Sequence, residues 1–131
     1  MDLEMNQTPA PSASARIAEA RLLVRGLIVQ AEVGVYAQEH GRRQPLVVEI
    51  ELRIAPSAFE QIGDTVNYEN LAAWARQVAE SGHIKLVETF AHRLALLCMS
   101  EPKVLCARVR VDKPEALSPA LAGVEIILQR P

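Results

Sequence analysis

The sequence predicts an α+β domain in which a four-stranded antiparallel sheet carries two helices on one face, in the order ββααββ. Three observations predict it. Apolar residues alternate strictly through LVVEIELR and on to Ile54, two consecutive stretches in the middle of the chain repeat them at helical spacing, and two further alternating segments close the chain. Two strand pairs with both helices inserted between them bury their apolar faces most simply as helices laid on one side of a sheet.

Residues 1 to about 15 are rich in Ala, Ser and Pro and lack periodicity, so a flexible tail is expected there and one domain over residues 16–131. The domain opens with ARLLVRGLIVQAEVGVY, a β-rich stretch reaching Tyr36, in which Gly26 marks a bulge. QEHGRRQP is a turn-forming break. The second strand follows, with Leu46, Val48, Ile50, Leu52 and Ile54 on its dry face and Val47, Glu49, Glu51 and Arg53 on the other. APSAFEQIGDTVNY is irregular. The first helix then places Leu71, Trp74, Ala75 and Val78 on one face, with Asn67 as its N-cap and Gly82 as its stop. The second places Val87, Phe90, Ala91, Leu94 and Cys98 on one face and ends before Pro102. Leu105, Ala107, Val109 and Val111 form the inner face of the third strand, which Pro114 is expected to stop. Val124, Ile126 and Leu128 form that of the fourth. A sheet this small has two unpaired edges, which invite association with other subunits.

Composition bounds the function. The 131 residues are half hydrophobic and 23% charged, which suits one packed domain. A net charge of −2 gives no footprint for nucleic acid or anionic membranes. The N-terminus carries Asp2 and Glu4 without an apolar run, so it does not read as a secretory signal, and no stretch approaches the roughly 18 apolar residues of a membrane span. The expected location is the cytoplasm. Cys98 and Cys106 lack a C-x-x-C spacing and read as ordinary core or half-buried thiols.

Four segments put polar groups where the pattern calls for apolar ones or for element ends. In GVYAQEHGRRQ, Glu39 and Gln44 flank a turn; in DTVNY, Tyr68 enters the first helix; in KLVETFA, Glu88 sits in the first turn of the second helix; in VRVDKP, Lys113 ends the third strand. Lys113 shares the parity of Val109 and Val111, so a regular strand brings its ammonium out at the rim of the inner face. Apolar walls there would lower its pKa toward that of a general base, although strand-end lysines are more often solvated. Glu88 at a helix N-terminus is stabilised as a carboxylate and suits bidentate pairing with a planar N–H/N–H2 edge, although acidic residues in first turns are routine. Glu39 in a turn is usually solvated, and Tyr68 is more often a core-edge aromatic than an acid.

His40, His83 and His92 are scattered, with no H-x-H or H-E-x-x-H pairing, and Glu88 with His92 at i,i+4 supplies only two ligands. No metal site is expected from them. Arg42 and Arg43 are candidates for gripping a phosphate, but paired arginines in a turn usually face water. Trp74 sits at helical spacing with Leu71 and Val78 and reads as core.

Together, GVYAQE followed by Gln44, then DTVNY, LVETFA, VRVDKP and the closing GVEIILQR resemble the dihydroneopterin aldolase family, in its order and approximate spacing, over about residues 20–130. The resemblance implies the tunnelling fold, in which subunits join their sheets into a ring and two rings stack, so that a homo-oligomer of four or eight chains is expected with its pockets shared between adjacent subunits. It implies a pterin substrate, 7,8-dihydroneopterin, and no cofactor. Residue by residue it makes Glu88 the pterin anchor, with the backbone of Val87. It places Tyr68 and Lys113 on the acid–base positions, Glu39 against the hydroxyl chain of the substrate, and Gln44 on a polar position of the same motif. APSAFEQIGDTVNY carries fewer acidic residues before DTVNY than many family members do.

The chemistry so implied fits what the sequence lacks. Retro-aldol cleavage needs an electron sink, which other aldolases supply with a lysine Schiff base or a zinc ion. A dihydropterin carries its own conjugated C=N, so the protein needs only to bind the ring, take the proton from the 2′-hydroxyl and reprotonate the product carbon. Two alternatives share the resemblance: a dihydroneopterin triphosphate 2′-epimerase, for which Arg42 and Arg43 would be phosphate contacts, and a non-catalytic pterin-binding ring. A zinc enzyme similar to the pyruvoyl-tetrahydropterin synthases is disfavoured by the missing histidine pair.

Overall fold

The computed structural model describes residues 8–131, so the first part of the tail expected over 1–15 lies outside the described residues. Residues 8–19 are exposed and form no helix or strand. The elements then run β1 (Ala20–Ala31), β2 (Gln44–Ile54), α1 (Tyr68–Ala79), α2 (Val87–Met99), β3 (Val104–Leu117) and β4 (Ala120–Gln129), with short 3-10 turns at Ala37–Glu39 and Ile62–Asp64. The expected ββααββ order is the order found. All neighbouring strands are antiparallel in the sequence β1-β2-β3-β4, which leaves β1 and β4 as edges.

Alternation in β2 sorts its two faces as expected. Leu46, Val48, Ile50 and Leu52 are fully buried and Ile54 nearly so, while the residues between them are half-buried. The helices cover that dry face, α1 over β1 and α2 over β3 and β4. Leu71, Ala75 and Val78 of α1 and Phe90, Ala91, Leu94 and Cys98 of α2 meet it, with Trp74 and Val87 packed at the margin. Burial pushes the Cys98 thiol up to about 12, so it stays protonated, while Cys106 is half-buried. Asn67 caps α1 by accepting the Glu69 N–H at 2.9 Å. None of the described helices is long and apolar enough to cross a membrane.

The structure corrects three expectations. β1 ends at Ala31, not Tyr36. Beyond it the backbone leaves the sheet and pairs Val33 with Ile84 between the two helices, through Gly34 N–H to the Ile84 carbonyl and Ile84 N–H to the Glu32 carbonyl, both 3.0 Å. Leu105 is only half-buried and Val104 takes the inner place, because the β2–β3 register slips between Arg53 and Ile54 and a one-residue slip exchanges faces. Pro114 does not stop β3, which continues to Leu117. Pairing with β2 ends at Asp112, and pairing with β4 shifts between Lys113 and Leu117, so the proline lies where no ladder N–H is required of it. The bulge at Gly26 is present, with the β1–β2 register shifting between Val24 and Leu27 and Gly26 at φ 71°.

Candidate active site

Strand parity carries Lys113 to the end of the inner face of β3, beyond buried Val111 and opposite Ala122 on β4, whose small side chain leaves room beside it. Its ammonium is not isolated among apolar walls. Nζ lies 2.7 Å from Glu39 Oε2, and only 15% of the Lys113 side chain and 10% of the Glu39 side chain meet solvent. A carboxylate this buried needs partners, and Glu39 has them. Besides Lys113 it accepts the Gln44 Nε2 amide at 3.1 Å and the Tyr36 N–H at 3.4 Å.

Each partner is held by local structure. Gln44 is the first residue of β2 and is itself buried, its Nε2 also donating to the Val33 carbonyl at 2.8 Å. The 3-10 turn Ala37–Glu39 folds Glu39 back toward Tyr36. Gly34, at φ 152°, passes directly beneath the Glu39 carboxyl, where any Cβ would overlap it. The Lys113 hydrogen bond is the largest cause holding the Glu39 carboxyl below its ordinary value, with Gln44 and the Tyr36 N–H adding to it against the opposing effect of burial.

The sign of the linkage follows. With its folded pKa lowered, Glu39 contributes stability that is fully present above the ordinary carboxylate value of 4.5 and lost as pH falls through the folded value. Acid titration of the unfolding free energy is expected to slope downward below that value in the native chain, and to slope less in Glu39→Gln. Equal slopes would show that the pair contributes nothing to folding.

Glu39 and Lys113 line an open cavity of about 260 Å3 together with Val87 and Glu88 at the start of α2. Leu86 gives α2 no side-chain cap, and its carbonyl accepts the Thr89 N–H at 3.1 Å, which leaves the N–H groups of Val87 and Glu88 as the open donors of the first turn beside the exposed Glu88 carboxylate. A second lobe shares Tyr36, Glu39, Lys113 and Ala116 with the first and continues to Gln44, Arg42 and Glu115. The result is one trough with a carboxylate and a helix N-terminus at one end, an ion pair in the middle and polar side chains at the other end. It suits a flat heterocycle with paired N–H donors and a hydroxylated tail reaching the ion pair.

Five of the six expected site residues, Glu39, Gln44, Val87, Glu88 and Lys113, therefore line one trough. Tyr68 does not line it. It stands 60% exposed at the first position of α1. Arg42 and Arg43 diverge: Arg42 reaches the trough with Nη1 3.1 Å from Glu115 Oε1, whereas Arg43 lines a separate depression beside Ile28, Arg76 and Glu80. Tyr36, 66% exposed and lining both lobes, was missed as a site residue. The available signal was an aromatic closing a β-rich stretch without a core position to fill. His40 and His83, scattered in sequence, stack with ring centroids 3.9 Å apart, away from the trough.

Comparison with known proteins covers nearly the whole domain. Residues 22–129 match the family model described as dihydroneopterin aldolase. A dihydroneopterin aldolase of Methylorubrum extorquens is 34% identical over 84% of this chain and 90% of its own length. A dihydroneopterin triphosphate 2′-epimerase of Pseudomonas aeruginosa is 25% identical over 75% of this chain and 82% of its own. Among solved structures, E. coli dihydroneopterin aldolase in complex with neopterin superposes with a TM-score of 0.74 at 26% identity, covering 83% of this chain and 98% of that one.

Proposed function

Because the chain belongs to the dihydroneopterin aldolase family, we propose that it splits 7,8-dihydroneopterin into 6-hydroxymethyl-7,8-dihydropterin and glycolaldehyde, a step of folate biosynthesis, without a Schiff base or a metal ion in the reaction. The observation that carries the reading is the placement of Glu88 and the Lys113–Glu39 ion pair in one trough. Glu88 accepts the paired N–H donors of the pterin edge, helped by the backbone at Val87. The hydroxylated tail then lies along Glu39.

Lys113, acting with a water, takes the proton of the 2′-hydroxyl. The C1′–C2′ bond breaks as the hydroxyl oxygen forms the carbonyl of glycolaldehyde, and its electron pair moves into the conjugated C=N of the ring as an enamine. A proton returned to C1′ restores the C=N and completes 6-hydroxymethyl-dihydropterin. Glu39 has two roles in this scheme. It holds the Lys113 ammonium in the free enzyme, and when the hydroxyl chain hydrogen-bonds to it, it gives up part of that hold; the ammonium then releases one proton to solvent water, and the neutral amine so formed acts as base.

Tyr68 delivers the returning proton, directly or through a water it orients. Since it does not line the trough of its own chain, it serves the trough of a neighbouring subunit in a ring-shaped tetramer or octamer. The unpaired edges of β1 and β4 and the exposed Val35, Leu117 and Leu121 around the trough support that association. Two outcomes follow. Tyr68→Phe is expected to slow product protonation on the order of 10²-fold, read as altered partitioning of the enamine. Oligomers assembled from mixed Tyr68→Phe and Lys113→Ala chains are expected to regain activity, because some pockets then receive both native residues. Mixtures no more active than the separate variants would place Tyr68 and Lys113 of one chain in the same pocket, or Tyr68 in none.

The epimerase reading requires a grip on phosphate. Arg42 is the cation at the tail end of the trough, and Glu115 already neutralises it at 3.1 Å, so the site suits an uncharged hydroxyl chain better than a triphosphate. Glycolaldehyde release from 7,8-dihydroneopterin and from its triphosphate tests the choice. Faster release from the unphosphorylated substrate is expected, and epimerisation of the triphosphate without net cleavage would overturn it.

A further inference from the structure

We propose that Glu32, His40 and His83 form a binding site for one divalent transition-metal ion of the zinc class, apart from the substrate trough and structural in role. The three come from separate segments: Glu32 just past β1, His40 after the 3-10 turn and His83 between the two helices. One ligand atom from each lies within 4.8 Å of the others.

The hydrogen bonds of His83 make the case. Its Nε2 is 2.7 Å from the Gly34 carbonyl, which can only accept, so Nε2 carries the hydrogen. In the neutral ring the lone pair is then on Nδ1, and Nδ1 lies 3.2 Å from Glu32 Oε1. A nitrogen lone pair and a carboxylate oxygen facing each other at this distance need a cation between them or beside them: a proton, or a metal ion taking both as ligands. Glu32 is already prepared as an anionic ligand, since the Gly41 N–H donates to the same Oε1 at 2.6 Å and holds the carboxyl below its ordinary value. Imidazole N–H fixed on a backbone carbonyl is the usual outer support of a metal-bound histidine, and two imidazoles with one carboxylate are a recurrent zinc set.

His40 supplies the third ligand. Its ring now stacks on His83 at 19° between planes. Stacked rings cannot both aim in-plane lone pairs at one ion, so His40 must turn about its side-chain bonds, which its exposure permits. None of the three residues lines the trough, yet the site bears on it. Glu32 and His40 bracket the segment that carries Glu39, and His83 lies on the loop leading to Val87 and Glu88. An ion would therefore tie together the two walls of the trough, adding to the Val33–Ile84 pairing that already joins them.

Calorimetric titration of the full chain, stripped with a chelator and then freed of it, with Zn2+ alone tests the site without any measurement of turnover, so its outcome is independent of the proposed reaction. One ion per chain is expected to bind and to raise the melting temperature, with Mg2+ at equal concentration doing neither because the nitrogen donors suit a softer ion. His40→Ala, a change at an exposed side chain, is expected to weaken Zn2+ binding by at least about 10-fold, and Glu32→Gln likewise. Absence of stoichiometric binding in the native chain would overturn the proposal. So would binding unchanged in both variants, or binding lost instead on His92→Ala.

Discussion

Lys113→Ala is expected to lower turnover of 7,8-dihydroneopterin by on the order of 10²-fold or more, the size of a general acid–base contribution, while the pterin product still binds. The split follows from where the side chain sits. Lys113 shares the trough with Glu88 but belongs to the ion pair in its middle, so Glu88, the proposed ring anchor, remains when the ammonium is removed. The substitution also strips Glu39 of the partner that does most to keep it ionised, and the freed carboxylate is 10% exposed. Part of the loss is therefore a displaced Glu39, and Lys113→Arg separates the two effects. Arginine restores a cation for Glu39 yet cannot give up its proton, so turnover is expected to stay low. Turnover within a few-fold of native in Lys113→Ala would remove the lysine from the chemistry.

Glu88→Ala is expected to act on the other parameter, raising the Kd for 6-hydroxymethyl-7,8-dihydropterin by about 10²-fold. Hydrogen bonds to a charged group are worth roughly 1.5–3 kcal/mol each, and the loss of a bidentate carboxylate amounts to about 3 kcal/mol after partial replacement by water. The fold is expected to tolerate the change, because the side chain is exposed and its interaction with the helix N-terminus is worth under about 1 kcal/mol. Equilibrium titration by pterin fluorescence measures the effect directly. Unaltered affinity would show that Glu88 does not anchor the ring.

What the sequence disclosed is what local periodicity can carry. The dry face of β2, the apolar faces of both helices and the Asn67 cap all depend on neighbours within one or two turns, and each is found where the pattern puts it. Lys113 was readable for the same reason, its inward direction following from two-residue parity in β3. Where a partner strand decides, the reading failed. The exchange of Leu105 for Val104 follows from a slip against β2, and the continuation of β3 past Pro114 follows from the absence of a neighbour needing its N–H. No periodicity could show that Glu32 meets His83 across 51 positions, or that the partner of Lys113 would be Glu39 rather than apolar walls. Tyr68 marks a further limit, because the contacts proposed for it lie on another copy of the chain.

The proposed reaction requires the dihydropterin ring itself to take up the electron pair, so that neither a metal ion nor a lysine imine takes part in it. The direct test is cleavage of 7,8-dihydroneopterin by the purified chain under EDTA, beside a parallel sample that receives borohydride together with substrate, is freed of both and is then assayed. Equal amounts of glycolaldehyde and 6-hydroxymethyl-7,8-dihydropterin under EDTA, formed at the rate seen without it, and undiminished activity after the borohydride treatment are expected. Progressive inactivation with a reduced adduct on Lys113, or loss of cleavage under EDTA that added Zn2+ restores even in His40→Ala, where the proposed structural site is removed, would contradict it.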